Sequence, residues 1–365
     1  MSGLLPEGFH DRLPPAADAA ARLEAHVLGV ARRYGYEQVD PPLAEFADEL
    51  GSRLSSGGLR GAVRFVDPVS QRTLAIRPDL TAQVGRIAAT RMAHHPRPVR
   101  LSYSGQVLKL TASELDPRRA MRQIGCELIG RDTVAAAREI VQLAIEALDA
   151  AGILSVSLDF TLPDLIDTLV GDSLDAATLA ALRERLDAKD AAGVAAIDAR
   201  YLPLVEAAGP FDAAIERLRA IDAGNALSSR IDGLARIAEG LEGKVALTLD
   251  PTERHGFEFQ SWLGFSIFAR GVRGEIGRGG TYNVVHGGGS AEPAVGFSLY
   301  ADPMLDAGLA AGERRRLFLP YGTPGDAAAR LRSEGWVTVA ALEAEDTPQA
   351  QLCTHVLREG VPQPL

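Results

Sequence analysis

One run in this sequence has the residue types and spacing to bind a small polar ligand: residues 77–81, Arg-Pro-Asp-Leu-Thr. It brings an arginine, a carboxylate and a hydroxyl together within five residues. A buried carboxylate in such a place needs a cation or an N–H group as its partner, which a ligand can supply. A simpler interpretation is that Asp79 and Thr81 cap a helix by binding its free N–H groups, and the pattern by itself favours capping.

The elements around this run would place it at the end of a sheet. Residues 73–76 are apolar and typical of a strand, whereas residues 84–92 have apolar side chains at helical spacing. Pro78 disfavours helical backbone in the residue before it, so the helix is predicted to start near residue 80 or 81.

Further periodic segments indicate the rest of a core. Residues 99–110 and 122–129 alternate as strands on either side of a polar loop, which predicts an antiparallel hairpin. Residues 64–76 are predicted to form two strands joined by a turn. Helices are predicted over residues 16–34 and 131–151, each with apolar side chains on one face.

The order of these segments predicts the fold class and the domains. Residues 164–240 are rich in alanine and leucine, and are predicted to be helical throughout, without strands. They would form an insertion into a core made of residues 1–163 and 241–310, followed by a small α/β appendix at residues 311–365. Strands do not alternate one for one with helices, so the fold is predicted to be α+β, an antiparallel sheet flanked by helices.

The composition limits the classes of function. The 365 residues carry a net charge of −10 and are 46% hydrophobic, which argues for a globular protein and against a general nucleic-acid binder. No apolar run approaches membrane-spanning length and no signal-peptide pattern is visible, so a cytoplasmic location without a membrane partner is expected. Cys126 and Cys353 do not have metal-ligand spacing, and neither a metal nor a cofactor is expected.

The order of several motifs resembles that of histidyl-tRNA synthetases over about residues 4–305. They are similar to that family's N-terminal segment, class II dimer-interface motif, histidine-contacting turn, second motif, two degraded histidine-specific segments and the start of the third motif. In this order, the matching segments are residues 8–14, 39–42, 77–81, 123–130, 256–259, 279–283 and 293–299. The resemblance implies a class II synthetase-like core that forms a homodimer.

The resemblance also implies a histidine site. Five residues match the family's histidine contacts, and these are Asp79, Thr81, Gln123, Glu127 and Tyr282. Lys109, His255 and Phe259 are further candidates for the same site. A carboxylate can hold an ammonium group, and glutamate or glutamine can bind an imidazole nitrogen. An alternative is that Gln123 and Glu127 belong to an inherited polar network that binds nothing. Lys109 and Arg119 can equally be ligands for a carboxylate or solvated loop cations.

Three substitutions bear on whether histidine still binds. His255 stands where the family has an arginine, and free histidine is mostly neutral at neutral pH. Phe259 and Gln260 replace a pair of tyrosines. Weak histidine binding and no histidine binding are both consistent with these changes.

Other departures argue against amino-acid activation, which needs cations on the phosphates of ATP. Lys109 stands in place of the second motif's arginine. Lysine keeps the positive charge but lacks the planar guanidinium group, which binds an anion through two N–H groups at once. Pro303 replaces the third motif's arginine, and Tyr300 replaces a glycine and would crowd an adenine slot. The anticodon-binding domain of that family is expected to be missing here or reduced to residues 311–365.

This pattern of loss resembles the family of regulatory subunits of short-form ATP phosphoribosyltransferases, which act in the first step of histidine biosynthesis. In that family a synthetase-like core binds and activates a small catalytic subunit, and histidine inhibits the complex. The resemblance therefore implies a non-catalytic regulatory subunit without catalytic residues. The alternative is a truncated histidyl-tRNA synthetase paralogue that adenylates an amino acid or another acceptor.

Overall fold

A computed structural model describes residues 4–51, 61–111, 117–171, 173–222, 224–241, 243–254, 260–287, 289–310 and 315–365. The chain divides into two compact units, Met1–Ala310 and Ala311–Leu365.

The first unit combines two sheets with helices. Its strands are β1 (Glu37–Gln38), β2 (Ala44–Phe46), β3 (Arg64–Val66), β4 (Thr73–Ile76), β5 (Val99–Leu108), β6 (Ala120–Ile129), β7 (Val156–Thr161), β8 (Gly209–Pro210), β9 (Ala246–Leu249), β10 (Gln260–Ala269), β11 (Gly277–Val285) and β12 (Ala291–Tyr300). Its helices are α1 (Ala16–Arg33), α2 (Ala47–Gly51), α3 (Thr81–Thr90), α4 (Val134–Ala150), α5 (Leu165–Val170), α6 (Ala176–Asp187), α7 (Ala191–Asp198), a 3-10 helix (Ala199–Glu206), α8 (Phe211–Ile221), α9 (Ser228–Ala238) and α10 (Ala301–Asp306).

The main sheet of this unit has the strand order β1-β5-β6-β12-β11-β10-β7-β9-β8. Pairing is antiparallel from β5 through to β7, and parallel only where β1 meets β5 and where β7 meets β9. A separate small sheet has the order β2-β4-β3. The predicted antiparallel sheet flanked by helices is therefore confirmed, as are the predicted hairpin of β5 and β6 and the pair of β3 and β4.

The alternation of β6 explains how the main sheet gains two different faces. Ile124, Cys126 and Leu128 are buried in the large core that also contains the apolar sides of α1 and α4. Gln123 and Glu127, at the odd-numbered positions of the strand, point to the opposite face, since successive side chains of a strand alternate. That opposite face packs against α3, so polar side chains are buried beneath a helix that follows the 77–81 turn.

The prediction that residues 164–240 are helical throughout is wrong at β8. Gly209 and Pro210 pair antiparallel with β9 at the edge of the main sheet. Two residues cannot show the alternation by which a strand is recognised in a sequence. Proline is tolerated there because an edge strand has one side without ladder hydrogen bonds.

The second unit contains β13 (Arg316–Leu319), α11 (Gly325–Ser333), β14 (Val337–Ala340), β15 (His355–Arg358) and β16 (Val361–Pro364). The sheet order is β14-β13-β15-β16, with β13 parallel to both β14 and β15. The predicted strand–helix–strand order is present, and the β15–β16 hairpin was not predicted. No helix among the described parts of the chain has the length and apolarity that crossing a membrane requires.

Candidate functional site

The turn at residues 77–81 lies between β4 and α3, and α3 begins at Thr81 as predicted. One oxygen of Asp79 accepts a hydrogen bond from the Thr81 backbone N–H (2.7 Å), so Asp79 does bind a free N–H group of the helix. The other Asp79 oxygen accepts from the Gln123 side-chain amide (2.8 Å). The Gln123 carbonyl oxygen in turn accepts from the Leu80 backbone N–H (3.0 Å). Asp79 therefore satisfies one N–H group at the start of α3 and is tied to β6 through Gln123, whereas the Thr81 hydroxyl does not cap the helix.

Glu127 is a buried carboxyl group at the centre of this face of the sheet. Its two oxygens accept hydrogen bonds from the hydroxyls of Tyr103 (2.9 Å) and Tyr282 (2.7 Å). No described lysine or arginine forms an ion pair with it. Burial raises the pKa of Glu127 to about 8, although the two tyrosine hydroxyls oppose this shift, and the charge of Asp79 adds to it. Glu127 thus changes protonation near neutral pH.

A chain of hydrogen bonds leads across the face to Glu127. The Gln123 amide donates to the Ser298 hydroxyl (2.7 Å), which lies 3.0 Å from the Tyr103 hydroxyl. The Thr81 hydroxyl lies 3.3 Å from the same Tyr103 oxygen. Because Tyr103 gives its only proton to Glu127, Ser298 donates to Tyr103. Burial first, and the charge of Glu127 second, raise the pKa of Tyr103 well above its usual value.

Glycines make room for these side chains on the sheet. Glu127, Gly296, Gly280 and Gly264 are register partners on the consecutive strands β6, β12, β11 and β10. A Cβ at Gly296 would overlap a carboxyl oxygen of Glu127, and a Cβ at Gly280 would overlap the carbonyl oxygen of Gln260. The glycine row therefore supplies the space into which Glu127 and Gln260 fold.

Gln260 starts β10, at an irregularity of the strand register before Gly264. Its side-chain amide donates to the Gly279 carbonyl (2.9 Å). Its carbonyl oxygen is buried and accepts no hydrogen bond from any residue that the structure describes.

The structure brings together five of the eight predicted histidine contacts, and these are Asp79, Thr81, Gln123, Glu127 and Tyr282. Lys109 is exposed near the loop end of the β5–β6 hairpin, where its backbone N–H donates to the Arg119 carbonyl (2.8 Å). No described contact joins the Lys109 side chain to the five. His255 and Phe259 lie outside the described residues.

Sequence reasoning missed Tyr103, Ser298 and the role of Gly296. Tyr103 could have been found from the hairpin, because it lies opposite Gly125, one same-face position along β6 from Glu127. Ser298 and Gly296 lie on β12, whose pairing with β6 joins residues about 170 positions apart, since Gly296 pairs with Glu127 and 296 − 127 = 169. No local pattern in the sequence reveals such a register.

Comparisons with known proteins identify the family and support the fold. A family model described as histidyl-tRNA synthetase matches residues 8–304. The ATP phosphoribosyltransferase regulatory subunit of Rhodospirillum centenum is 43% identical, over 98% of this chain and 93% of that protein. The ATP phosphoribosyltransferase regulatory subunit of Paramagnetospirillum magneticum is 41% identical, over 97% of this chain and 96% of that protein. The chain belongs to the family of ATP phosphoribosyltransferase regulatory subunits.

Solved structures show the same fold. A structure from Bacillus halodurans, described as an ATP phosphoribosyltransferase regulatory subunit/histidyl-tRNA synthetase, matches with a TM-score of 0.80 and 21% identity over 98% of both chains. Histidyl-tRNA synthetase from Nostoc matches with a TM-score of 0.78 and 14% identity, covering 98% of this chain and 91% of that one. The predicted class II synthetase-like fold is thus confirmed. Because its relatives are named for regulation, this family member is a non-catalytic subunit of an enzyme complex, as predicted.

Proposed function

We propose that this chain binds and activates the catalytic subunit of a short-form ATP phosphoribosyltransferase, in the first step of histidine biosynthesis, and mediates inhibition by histidine. The observation that carries the proposal is the 43% identity, over 98% of the chain, to a relative named as the regulatory subunit of this enzyme.

The site supports regulation better than adenylation. Tyr300 packs against the apolar cluster of α3 and the sheet, on the face that carries Glu127. Pro303 lies within α10 and offers no charge. Arg278, on the same face, forms an ion pair with Glu275 (2.5 Å). These residues are a poor set for stabilising the phosphate charge that develops when an amino acid reacts with ATP.

Histidine fits the charges of the site. Asp79 and Glu127 are two carboxyl groups in one network, and the charge of Asp79 raises the pKa of Glu127. A ligand with an ammonium group and an imidazole ring would supply the positive charge that such a pair lacks. We propose Thr81, Gln123 and Tyr282 as further contacts, and Lys109, His255 and Phe259 as residues that complete the site around the ligand.

Inhibition requires that histidine bind one state of the complex better than another, because equal affinity for both states shifts nothing. A difference of about 1–3 kcal/mol between the two states is sufficient for useful feedback.

The test is to co-express the chain with a short-form catalytic subunit and to measure phosphoribosyltransferase activity with and without histidine. The variants are Glu127→Gln and, as a matched control, Glu139→Gln. Glu139 is a partly buried glutamate that pairs with Arg100 (2.8 Å) and lies outside the site. All three proteins should activate the catalytic subunit, and only Glu127→Gln should lose inhibition by histidine.

Two results would contradict this proposal. Inhibition of the Glu127→Gln complex as strong as that of the wild type would exclude this site as the regulatory one. A wild-type chain that neither binds nor activates the catalytic subunit would exclude the function itself. Amino-acid-dependent ATP–pyrophosphate exchange well above a blank, measured over a panel of amino acids, would instead support the synthetase paralogue.

A further inference from the structure

We propose that Lys189 and Asp187 are positioning residues for the histidine site, because they hold residues 250–254, the part of the chain that leads directly to His255. Both lie at the end of α6, within the predicted insertion of residues 164–240. The inference rests on the proposed function, since it concerns the affinity of that site for histidine.

The first observation is that the connection between β9 and β10 is longer than the gap it crosses. The two strands lie about two strand spacings, roughly 10 Å, apart, because β7 lies between them. β10 also begins roughly 13 Å beyond the end of β7, since Gln260 precedes Gly264, the partner of Thr161, by 264 − 260 = 4 residues. Residues 250–259 join the strands, and a chain of this length can extend to roughly 35 Å. The length of the connection therefore does not fix its course, and side-chain contacts must do so.

The second observation is that side chains of α6 and the residues after it hold this connection. The Lys189 ammonium group donates to a carboxyl oxygen of Asp250 (2.5 Å) and to the Thr252 hydroxyl (2.6 Å). The Asp187 carboxylate accepts from the Arg254 backbone N–H (2.8 Å). These two side chains thus reach both ends of residues 250–254.

The end of β7 supplies the contacts on the opposite side of the same segment. The Asp250 N–H donates to the Phe160 carbonyl (2.9 Å), and the Thr161 hydroxyl donates to the Glu253 carbonyl (2.6 Å). Residues 250–254 are therefore held between the sheet and the predicted insertion. On the side of the insertion, the described polar contacts depend on the side chains of Lys189 and Asp187.

The third observation is the backbone of Lys189, which has a φ of 54°. The N–H of Asp190 donates to the Arg185 carbonyl (2.8 Å), and that of Lys189 donates to the Leu186 carbonyl (3.1 Å), which is the usual hydrogen-bond pattern of a helix that ends at a left-handed residue. Glycine is preferred at this position, because a Cβ is disfavoured there. The ammonium group accounts for a lysine in this place, because glycine could not reach Asp250.

The consequence for histidine follows from the order of the chain. Arg254 is followed directly by His255, one of the residues that we propose to complete the site. A site binds more tightly when its side chains are held in the binding geometry before the ligand arrives. Release of residues 250–254 would add an ordering cost to histidine binding, so the inserted helices influence affinity without contacting the ligand.

The experiment measures histidine binding to the full chain by calorimetry and, in parallel, the free energy of unfolding by urea denaturation. The variants are Lys189→Gly and Asp187→Ala, and the matched control is Asn225→Gly. Asn225 also lies within the predicted insertion, is exposed and has a positive φ of 55°. No described contact joins its side chain to the sheet.

We expect Lys189→Gly and Asp187→Ala each to bind histidine roughly tenfold more weakly, within the usual range of coupling between separate positions. Lys189→Gly should do so without a matching loss of stability, because glycine relieves the left-handed backbone while the ammonium contacts are lost. A merely structural role of Lys189 would leave the histidine affinity of this variant unchanged. Asn225→Gly relieves the same kind of backbone and should bind histidine like the wild type.

Failure of this inference can be told apart from failure of the proposed function. Wild-type histidine affinity of both Lys189→Gly and Asp187→Ala would overturn the positioning role and leave histidine regulation standing. Equal weakening by Asn225→Gly would show a general effect of changes in the insertion, and would overturn the role in the same way. No measurable histidine binding by the wild type would overturn both this inference and the feedback part of the proposed function, but not activation.

Discussion

At the scale of single residues, Glu127 is a buried carboxyl group without an ion-pair partner among the described lysines and arginines. Two tyrosine hydroxyls hold its oxygens, and burial raises its pKa from 4.5 to about 8. Between pH 4.5 and about pH 8, Glu127 therefore keeps its proton in the native chain but has lost it in the unfolded chain. By linkage, the free energy of unfolding falls as pH rises through this window.

Replacement of Glu127 by glutamine should remove this dependence. We expect the stability of Glu127→Gln relative to the wild type to increase steadily from pH 5 to pH 8, as measured by urea denaturation at several pH values. Glu139→Gln is the control. Burial tends to raise the pKa of Glu139, but hydrogen bonds from Arg100 and Tyr36 lower it below its usual value. The stability that the ionised Glu139 contributes is therefore lost only at lower pH. The stability that Glu139→Gln loses relative to the wild type should therefore be the same from pH 5 to pH 8. If the stability differences of both variants followed the same course with pH, the prediction would be contradicted.

Gly296 offers a steric test of the same site. An added Cβ at this position would overlap a carboxyl oxygen of Glu127 and force that side chain to move. We expect Gly296→Ala to destabilise the chain by about 1–3 kcal/mol, as buried overpacking does, and to abolish histidine binding. Gly29→Ala is the control, because nothing lies within 4 Å of its added Cβ and Gly29 lies inside α1. That helical substitution should instead stabilise by about 0.5–1 kcal/mol.

At the scale of elements, the sequence was informative where a signal is local. Pro78 and the apolar spacing after it placed the start of α3, and alternation predicted β5 and β6. The glycine-rich strand β11 was not predicted as a strand, because glycine has low strand propensity and gives no alternation. The contacts between β6, β12 and β11 depend on pairing across the sheet, so Ser298 and the glycine row were found only in the structure.

Arg77 links the turn of the site to the segment that resembles the dimer motif. It is buried, and its guanidinium donates to the carbonyls of Pro41 and Gln106 (both 2.7 Å). We expect Arg77→Met to cost about 1–3 kcal/mol, because the buried Pro41 carbonyl and the partly buried contact to the Gln106 carbonyl lose their donor. Chemical denaturation at pH 7 measures the loss. The exposed Arg72, paired with Asp48, is the control, and Arg72→Met should cause no resolvable change.

At the scale of the whole molecule, the proposed homodimer rests on residues 39–42, which resemble the class II dimer-interface motif. Leu43, directly after that segment, is 53% exposed. A single exposed leucine is ordinary, so the resemblance carries the placement of the interface and Leu43 offers a side chain with which to test it. A two-fold interface would use the same surface of both copies, so one substitution there acts twice.

The last prediction follows from that symmetry. Sedimentation should show a dimer of the wild-type chain at micromolar concentration, and Leu43→Glu should shift it towards monomer, because two buried carboxylates would face an apolar surface. Leu154→Glu is the matched control, since Leu154 is 66% exposed in the turn between α4 and β7, far along the chain from this surface. It should leave the dimer intact. A wild-type chain that sediments only as monomer would contradict the homodimer, and equal dissociation of both variants would contradict its placement beside Leu43.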